Sequence, residues 1–270
     1  MFQHSIFSLP FIFIAMIVAS DGWFGFRLLL LGALAAVSAR NFAMGFNRFV
    51  DRKFDAYNPR TAGRPSVDGR LDPTSIAIFT AVNGLVFMGV SYFVNDLAFA
   101  LSFPILIVLG SYSYFKRFSS MAHIVLGISL GLAPIAGVIA VSAEVPMWSV
   151  WLSIGVMFWV AGFDLLYSLQ DIEFDVTNNL HSIPSRFGSG ATLKISALFH
   201  LLAVFFWGMF VLSAQLGMWA QCAVGFSILM LGYEHYLVRR DFTQIDRAFF
   251  TVNGYLGFVF ITFIILDKVL

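Results

Sequence analysis

Charge is what this sequence has least of. Asp, Glu, Lys and Arg together make up 11% of its 270 residues, under half of the ~25% usual in soluble domains. That shortage excludes an ordinary water-exposed surface, and 59% hydrophobic residues, 32 Phe among them, make lipid the expected solvent. One cysteine, Cys222, excludes an intrachain disulfide; in its apolar run it reads as a buried, inert thiol. Five histidines without HExxH or paired ligand spacing leave zinc chemistry unsupported. No cleavable leader or basic transit segment precedes the first apolar run, and no low-complexity stretch or soluble second domain is visible. Nothing points to a nucleic-acid partner.

What is present is a series of long apolar runs. Crossing ~30 Å of hydrocarbon takes about 20 residues, and nine runs qualify: 5–20, 25–46, 74–94, 97–114, 122–142, 147–168, 190–213, 217–237 and 247–267. The first is short and holds Pro10. The expected fold is all-α: a polytopic membrane protein of nine transmembrane helices bundled around a central cavity, as one domain over residues 1–270. The breaks alternate in charge. Arg48, Arg52, Lys53, Arg60, Arg64, Arg70, Lys116, Arg117, Arg186, Lys194, Arg239, Arg240 and Arg247 fall on one side, Arg27 and Lys268 on the other, and Arg40 within a span. Positive charge marks the cytoplasmic side, which puts the N-terminus inside and the basic loops in the cytoplasm.

The second run ends in Asn47, Asp51 and Asp55, one helical turn apart and so on one face. Two carboxylates and an amide oxygen form a hard-oxygen set suited to magnesium; solvation of a helix end beside Arg52 and Lys53 is the plainer alternative. Arg40 shares that face two turns earlier, either lining a polar cavity or snorkelling to the interface. The following loop, from Ala56 to Pro65, carries Arg60 and Arg64 between prolines, which suits a phosphate-bearing ligand. A second ladder, Asp164, Tyr167, Asp171 and Asp175, forms one helical stripe if its helix continues unbroken past the membrane edge. Asp164 stands within the apolar span, where an unpaired acid is costly. The fourth run ends in Tyr112, Lys116 and Arg117, either phosphate ligands or positive-inside anchors. Gly127, Gly131, Pro134 and Gly137 in the fifth suit close helix packing. Residue spacing alone leads to a magnesium–diphosphate site in a membrane.

Asn-x3-Asp-x3-Asp followed by Arg-Thr-x2-Arg-Pro resembles the first signature of the UbiA superfamily of intramembrane prenyltransferases. Asp-x2-Tyr-x3-Asp-x3-Asp is similar to its second signature, and Tyr112-x3-Lys116-Arg117 to a third, weaker motif. Arg48 departs from the pattern, since many members carry a second acidic residue after the asparagine; Asn178, Asn179 and His181 replace a basic residue of some relatives.

The resemblance implies an enzyme that transfers a polyprenyl group from a polyprenyl diphosphate to an aromatic acceptor through an allylic carbocation. It implies Mg²⁺, two ions by charge balance, on Asn47, Asp51, Asp55, Asp171 and Asp175. Arg40, Arg60, Arg64, Tyr112, Lys116 and Arg117 would bind diphosphate, and Asp164 with Tyr167 would orient or deprotonate the acceptor. The opening His4-Ser5-Ile6-Phe7-Ser8-Leu9-Pro10-Phe11 resembles bacterial members acting on hydroxyaryl carboxylates, either 4-hydroxybenzoate or 1,4-dihydroxy-6-naphthoate, in quinone biosynthesis. The implied location is the bacterial inner membrane, with the site facing the cytoplasm. A haem- or homogentisate-type acceptor is the alternative within the superfamily. A cation-coupled transporter is the alternative from another class; it predicts ion flux without Mg²⁺-dependent pyrophosphate release.

Overall fold

The computed structural model describes residues 5–270; the expectation attached to His4 lies outside them. Among the described residues every regular element is helical. The helices are α1 (Ser5–Ala19), α2 (Phe26–Tyr57), α3 (Pro73–Val94), α4 (Asp96–Phe115), α5 (Ala122–Ser142) and α6 (Met147–Tyr167). They continue with α7 (Ile172–Thr177), α8 (Ile183–Ser213), α9 (Met218–Arg240), α10 (Ile245–Arg247) and α11 (Asn253–Val269).

Local chemistry fixes where these helices start and stop. Asp72 caps α3 by accepting from the Ser75 N–H, with Pro73 at the first helical position. Asn95 ends α3 in an extended conformation and caps α4 through the Ala98 N–H. Its amide also donates to the Ile139 carbonyl at 2.7 Å, tying that corner to α5. Ser182 and Ser185 form a reciprocal capping box at the start of α8. The α9 start is capped from a distance: Asp267 of α11 accepts from the Gly217 N–H at 2.7 Å and the Ala220 N–H at 3.1 Å.

By length and composition, seven helical stretches among the described residues can cross a bilayer, including Phe26–Tyr57, Met147–Thr177 and Phe242–Val269. The nine expected runs all appear as helices, but two fall short of that measure. α1 has only 15 residues, and α9 carries Gln221, Glu234, His235, Arg239 and Arg240. The outward faces are apolar: Leu30, Leu85, Leu201 and Leu229 are each more than two-thirds exposed. Leucines so exposed on long helices suit hydrocarbon rather than water, so the chain is a multi-pass membrane protein.

Neighbours in sequence pack as neighbours in space. α2, α3 and α4 touch one another, α4 leads to α5, α5 to α6, α6 to α8, α8 to α9 and α9 to α11, while α1 joins α11 and α5 and reaches α2 and α6. The densest part of the core surrounds α6. Phe11, Trp159, Trp207, Phe210 and Phe260 are fully buried, with Phe11 stacked on Trp207 at 5.5 Å between centroids. Small residues permit that approach. A Cβ on Gly131 would lie 2.9 Å from the Ser153 carbonyl oxygen of α6, and one on Gly137 2.6 Å from that of Ile12 in α1, so α5 does use its glycines for close packing.

Three expectations change. The second ladder does not ride one unbroken helix: after Tyr167 the chain tightens into a 3₁₀ turn, Ser168–Asp171, before α7. The tighter turn rotates Asp171 relative to Asp164, and no glycine or proline announces it. The seventh run begins earlier than residue 190, because a first helical turn from Ile183 joins α8 across Gly188, whose φ is +77°. Cys222 is half-buried rather than buried, because α9 turns it partly outward.

Candidate active site

Between the helices lies a cavity of about 670 Å³. Its inner wall is small and apolar, with Ala36, Ala39 and Ala43 of α2 facing Leu101, Ile105 and Val108 of α4. Its other end is polar. All thirteen site residues expected from the sequence line it: Arg40, Asn47, Asp51, Asp55, Arg60, Arg64, Tyr112, Lys116, Arg117, Asp164, Tyr167, Asp171 and Asp175. The two acidic ladders, more than a hundred residues apart, therefore share one chamber.

The loop after α2 joins them. Arg60 donates from Nε to Asp171 Oδ1 at 2.9 Å and from Nη2 to Oδ2 at 2.6 Å, a two-pronged pair of the strong kind. Asn58 adds a third donor to Oδ1 at 3.2 Å, and Arg60 Nη1 reaches the Tyr167 hydroxyl at 3.2 Å. Burial alone would lower the affinity of the Arg60 guanidinium for its proton; the hydrogen bonds and charge of Asp171 outweigh that, and Arg60 ends above its ordinary value. Arg64 pairs with Asp55 at 2.7 Å. From the other side, Arg117 meets Asp51 at 3.3 Å and lies over the rings of Phe54 and Tyr114. Asn47 donates to Asp51 Oδ2 at 2.7 Å, which fixes that carboxylate along α2. Lys116 makes no ion pair among the described residues, while its carbonyl accepts from the His181 N–H and ties the third motif to the segment after α7.

The oxygen-rich donor set suits magnesium in kind, though not in its present arrangement. Among the described residues no three His, Cys, Asp or Glu side chains converge closely enough to hold an ion as they stand. The reason is visible: Asp51, Asp55 and Asp171 each turn an oxygen to an arginine. Asp175 differs, for its Oδ2 is buried without a hydrogen-bond partner. An orphan carboxylate oxygen in an all-oxygen set beside a polar cavity is what a hard cation satisfies. The residues fit.

Two participants escaped the sequence reading. Arg48 lines the cavity, and its Nε and Nη1 are buried without partners; the sequence registered it as a positive-inside charge and a departure from an acidic pattern, not as a site residue. His123, wholly buried in α5, stands 2.7 Å from Asp164 through Nδ1. A lone histidine in an apolar run carries no signal of a partner 41 residues away.

A membrane bundle with two acid-bearing motifs at one end of an apolar chamber defines a class of intramembrane enzymes working on diphosphates of lipids. Residues 8–264 match the model of the UbiA prenyltransferase family, and the chain belongs to that family; it is a prenyltransferase. The 4-hydroxybenzoate octaprenyltransferase of Herminiimonas arsenicoxydans is 28% identical over 256 residues, covering 94% of this chain and 89% of that protein. The enzyme of the same name from Saccharophagus degradans is 28% identical over 259 residues, 94% and 84% of the two chains. Among solved structures, the apo UbiA homolog from Aeropyrum pernix K1 superposes with a TM-score of 0.90 at 29% identity, covering 99% of this chain and 98% of that one. A UbiA homolog from Archaeoglobus fulgidus, bound to DMAPP and Mg²⁺, shares the fold at a TM-score of 0.79 and 20% identity, over 98% and 96% of the two chains.

Proposed function

We propose that this enzyme transfers a polyprenyl group from a polyprenyl diphosphate to a hydroxyaryl carboxylate, 4-hydroxybenzoate or 1,4-dihydroxy-6-naphthoate, in quinone biosynthesis. The observation that carries the reading is the Arg60–Asp171 bridge, which unites both acidic motifs at the polar end of an otherwise apolar chamber. The relatives named for 4-hydroxybenzoate octaprenyl transfer support the acceptor class.

Each part of the chamber has a task. Arg40, Arg60, Arg64, Tyr112, Lys116 and Arg117 supply donors and positive charge to the diphosphate. Asn47, Asp51, Asp55, Asp171 and Asp175 would hold Mg²⁺, which when bound would supply Lewis-acid stabilisation of the leaving diphosphate. The apolar wall takes the isoprenoid chain and excludes water, which would otherwise quench an allylic cation. Tyr167 and Phe249, 4.3 Å apart between centroids, line the chamber and put aromatic rings beside that cation. Asp164 and Tyr167 orient or deprotonate the acceptor. The chain is one membrane-embedded domain, crossing a bacterial inner membrane nine times with its N-terminus and site on the cytoplasmic side; the run of basic loops supports that sense.

The test is to incubate the purified protein with Mg²⁺, a long-chain polyprenyl diphosphate and each acceptor. A prenylated hydroxy acid from one of them is expected. Prenylation of neither, with pyrophosphate release intact on another phenol, overturns the acceptor assignment.

A further inference from the structure

We propose that His123 is a positioning residue for the transfer reaction: it aims Asp164 at the acceptor so that Asp164 receives the proton displaced from the aromatic ring. The inference rests on the prenyl-transfer reading above and adds a residue to it.

The geometry is specific. His123 in α5 is fully buried, and Asp164 in α6 lines the cavity with its side chain 21% exposed. The imidazole Nδ1 holds Oδ2 at 2.7 Å, while Oδ1 makes no hydrogen bond among the described residues. One carboxylate oxygen is thus anchored in the wall and the other left to the chamber. His123 Nε2 is buried without a partner. A bare lone pair there costs less than a buried N–H with no acceptor, so the imidazole hydrogen belongs on Nδ1, directed at Asp164.

The kind of partner matters as much as the distance. Asp51, Asp55 and Asp171 each pair with an arginine. A guanidinium lends its carboxylate a full positive charge and ties up its oxygens. Asp164 has an imidazole N–H, which orients the carboxylate without imposing that charge. It also lies on α6, one turn before Tyr167 and ahead of the 3₁₀ turn that ends in Asp171. The division of labour follows: acids held by arginine serve the diphosphate end, and the acid held by histidine serves the ring.

The step balances. The allylic C–O bond breaks and its electron pair leaves with the diphosphate. A π pair of the acceptor ring forms the new C–C bond, and the proton on the attacked carbon passes to Asp164 Oδ1, restoring aromaticity. That proton then leaves with the diphosphate product or to water at the polar end.

The experiment compares His123→Leu, His123→Asn and His123→Gln in detergent or nanodiscs. It reads kcat and KM for polyprenyl diphosphate, together with Mg²⁺-dependent binding of a non-hydrolysable polyprenyl diphosphate analogue. The amide nitrogen of asparagine sits where Nδ1 does, whereas that of glutamine reaches toward Nε2. His123→Leu is expected to lower kcat about 100-fold or more, the usual scale for a general base, with analogue binding and KM within about threefold of the parent. His123→Asn should recover about tenfold or more of that loss, and His123→Gln much less. Should the leucine variant not fold, the asparagine–glutamine contrast decides. The proposal is overturned if His123→Leu keeps kcat, if kcat and analogue binding fall together, or if asparagine and glutamine are equally poor. A parent enzyme that prenylates no aromatic acceptor overturns the broader reading and this one with it; an active parent with an indifferent His123 overturns this one alone.

Discussion

Arg60 and Asp171, 111 residues apart in the chain, meet in a two-pronged ion pair with Nη2 2.6 Å from Oδ2. The contact is what makes two helix ends into one site. A planar fork matched to a carboxylate is not reproduced by an ammonium, so Arg60→Lys and Arg60→Ala should both raise KM for the diphosphate by about tenfold or more. The pair is a third exposed on the arginine side, and its worth to the fold is correspondingly modest, about 1 kcal/mol. Steady-state kinetics and thermal melting of the same preparations separate the two effects. A variant that melts far lower but binds diphosphate normally would make Arg60 a structural clamp instead.

The acidic ladders should fail independently. Asp51→Asn and Asp171→Asn each preserve shape and remove a charge, and each is expected to cut turnover about 100-fold or more, with the protein still extractable and folded. Magnesium titrations should shift to higher concentration for both, since the neutral amide is a weaker ligand for a hard cation. Full activity in both variants would end the shared-site mechanism.

Arg48 gives a prediction in which stability and affinity move in opposite directions. Its Nε and Nη1 are buried without partners while the residue lines the cavity, so the protein holds a desolvated cation beside a place for an anion. Arg48→Met removes that burden and should raise the melting midpoint, by roughly 1 kcal/mol in stability. It should also weaken diphosphate binding about tenfold, the usual worth of a charge-assisted hydrogen bond. Melting curves with and without a diphosphate analogue read both. Unchanged binding would make Arg48 a residue that merely tolerates its burial.

Much of this site was legible because its information is local. Asn47, Asp51 and Asp55 follow the helical repeat, and the loop with Arg60 and Arg64 follows directly, so spacing alone indicates a common purpose. Apolar runs likewise located the helices, with most ends within a few residues; α2 runs on from residue 46 to Tyr57, α8 adds a turn before Gly188, and α11 proper begins at Asn253 after a π-helical turn. What stayed hidden is non-local. The Arg60–Asp171 contact depends on how a loop folds back, and His123 acquires a partner only when α5 packs on α6 through Gly127 and Gly131. The turn at Ser168–Asp171 stayed hidden for another reason: residues without a strong breaker leave a helix free to tighten wherever packing requires it.

The packing of α5 on α6 can be probed directly. A Cβ on Gly131 would meet the Ser153 carbonyl at 2.9 Å and Met157 Cβ at 3.1 Å. Neither backbone can yield without moving its helix, so Gly131→Ala should cost about 1–3 kcal/mol. Because the same interface carries the His123–Asp164 pair, kcat should fall beyond what the loss of folded protein explains. Retention of both stability and kcat would show that the helices separate without consequence.

Behind the chamber wall, a buried polar relay ties α6, α9 and α11 together. Trp159 Nε1 donates to Asn253 Oδ1 at 2.7 Å, and Asn253 Nδ2 donates to Glu234 Oε1 at 2.7 Å; all three residues are at most 1% exposed. Asn253 opens α11 just after the π-helical turn Ala248–Val252 and binds the Ala248 carbonyl at 3.3 Å, so it also secures that irregular turn. Asn253→Leu leaves an indole N–H and a carboxyl oxygen without partners, each costing about 1–3 kcal/mol. Glu234→Leu leaves only the asparagine amide short of one acceptor and should cost less. The double variant removes both ends of one bond, so its loss should fall short of the sum by about 1–2 kcal/mol. Unfolding of the four proteins in mild detergent, set against kcat per folded molecule, checks this. Strict additivity would mean the relay is not formed in the membrane-extracted enzyme.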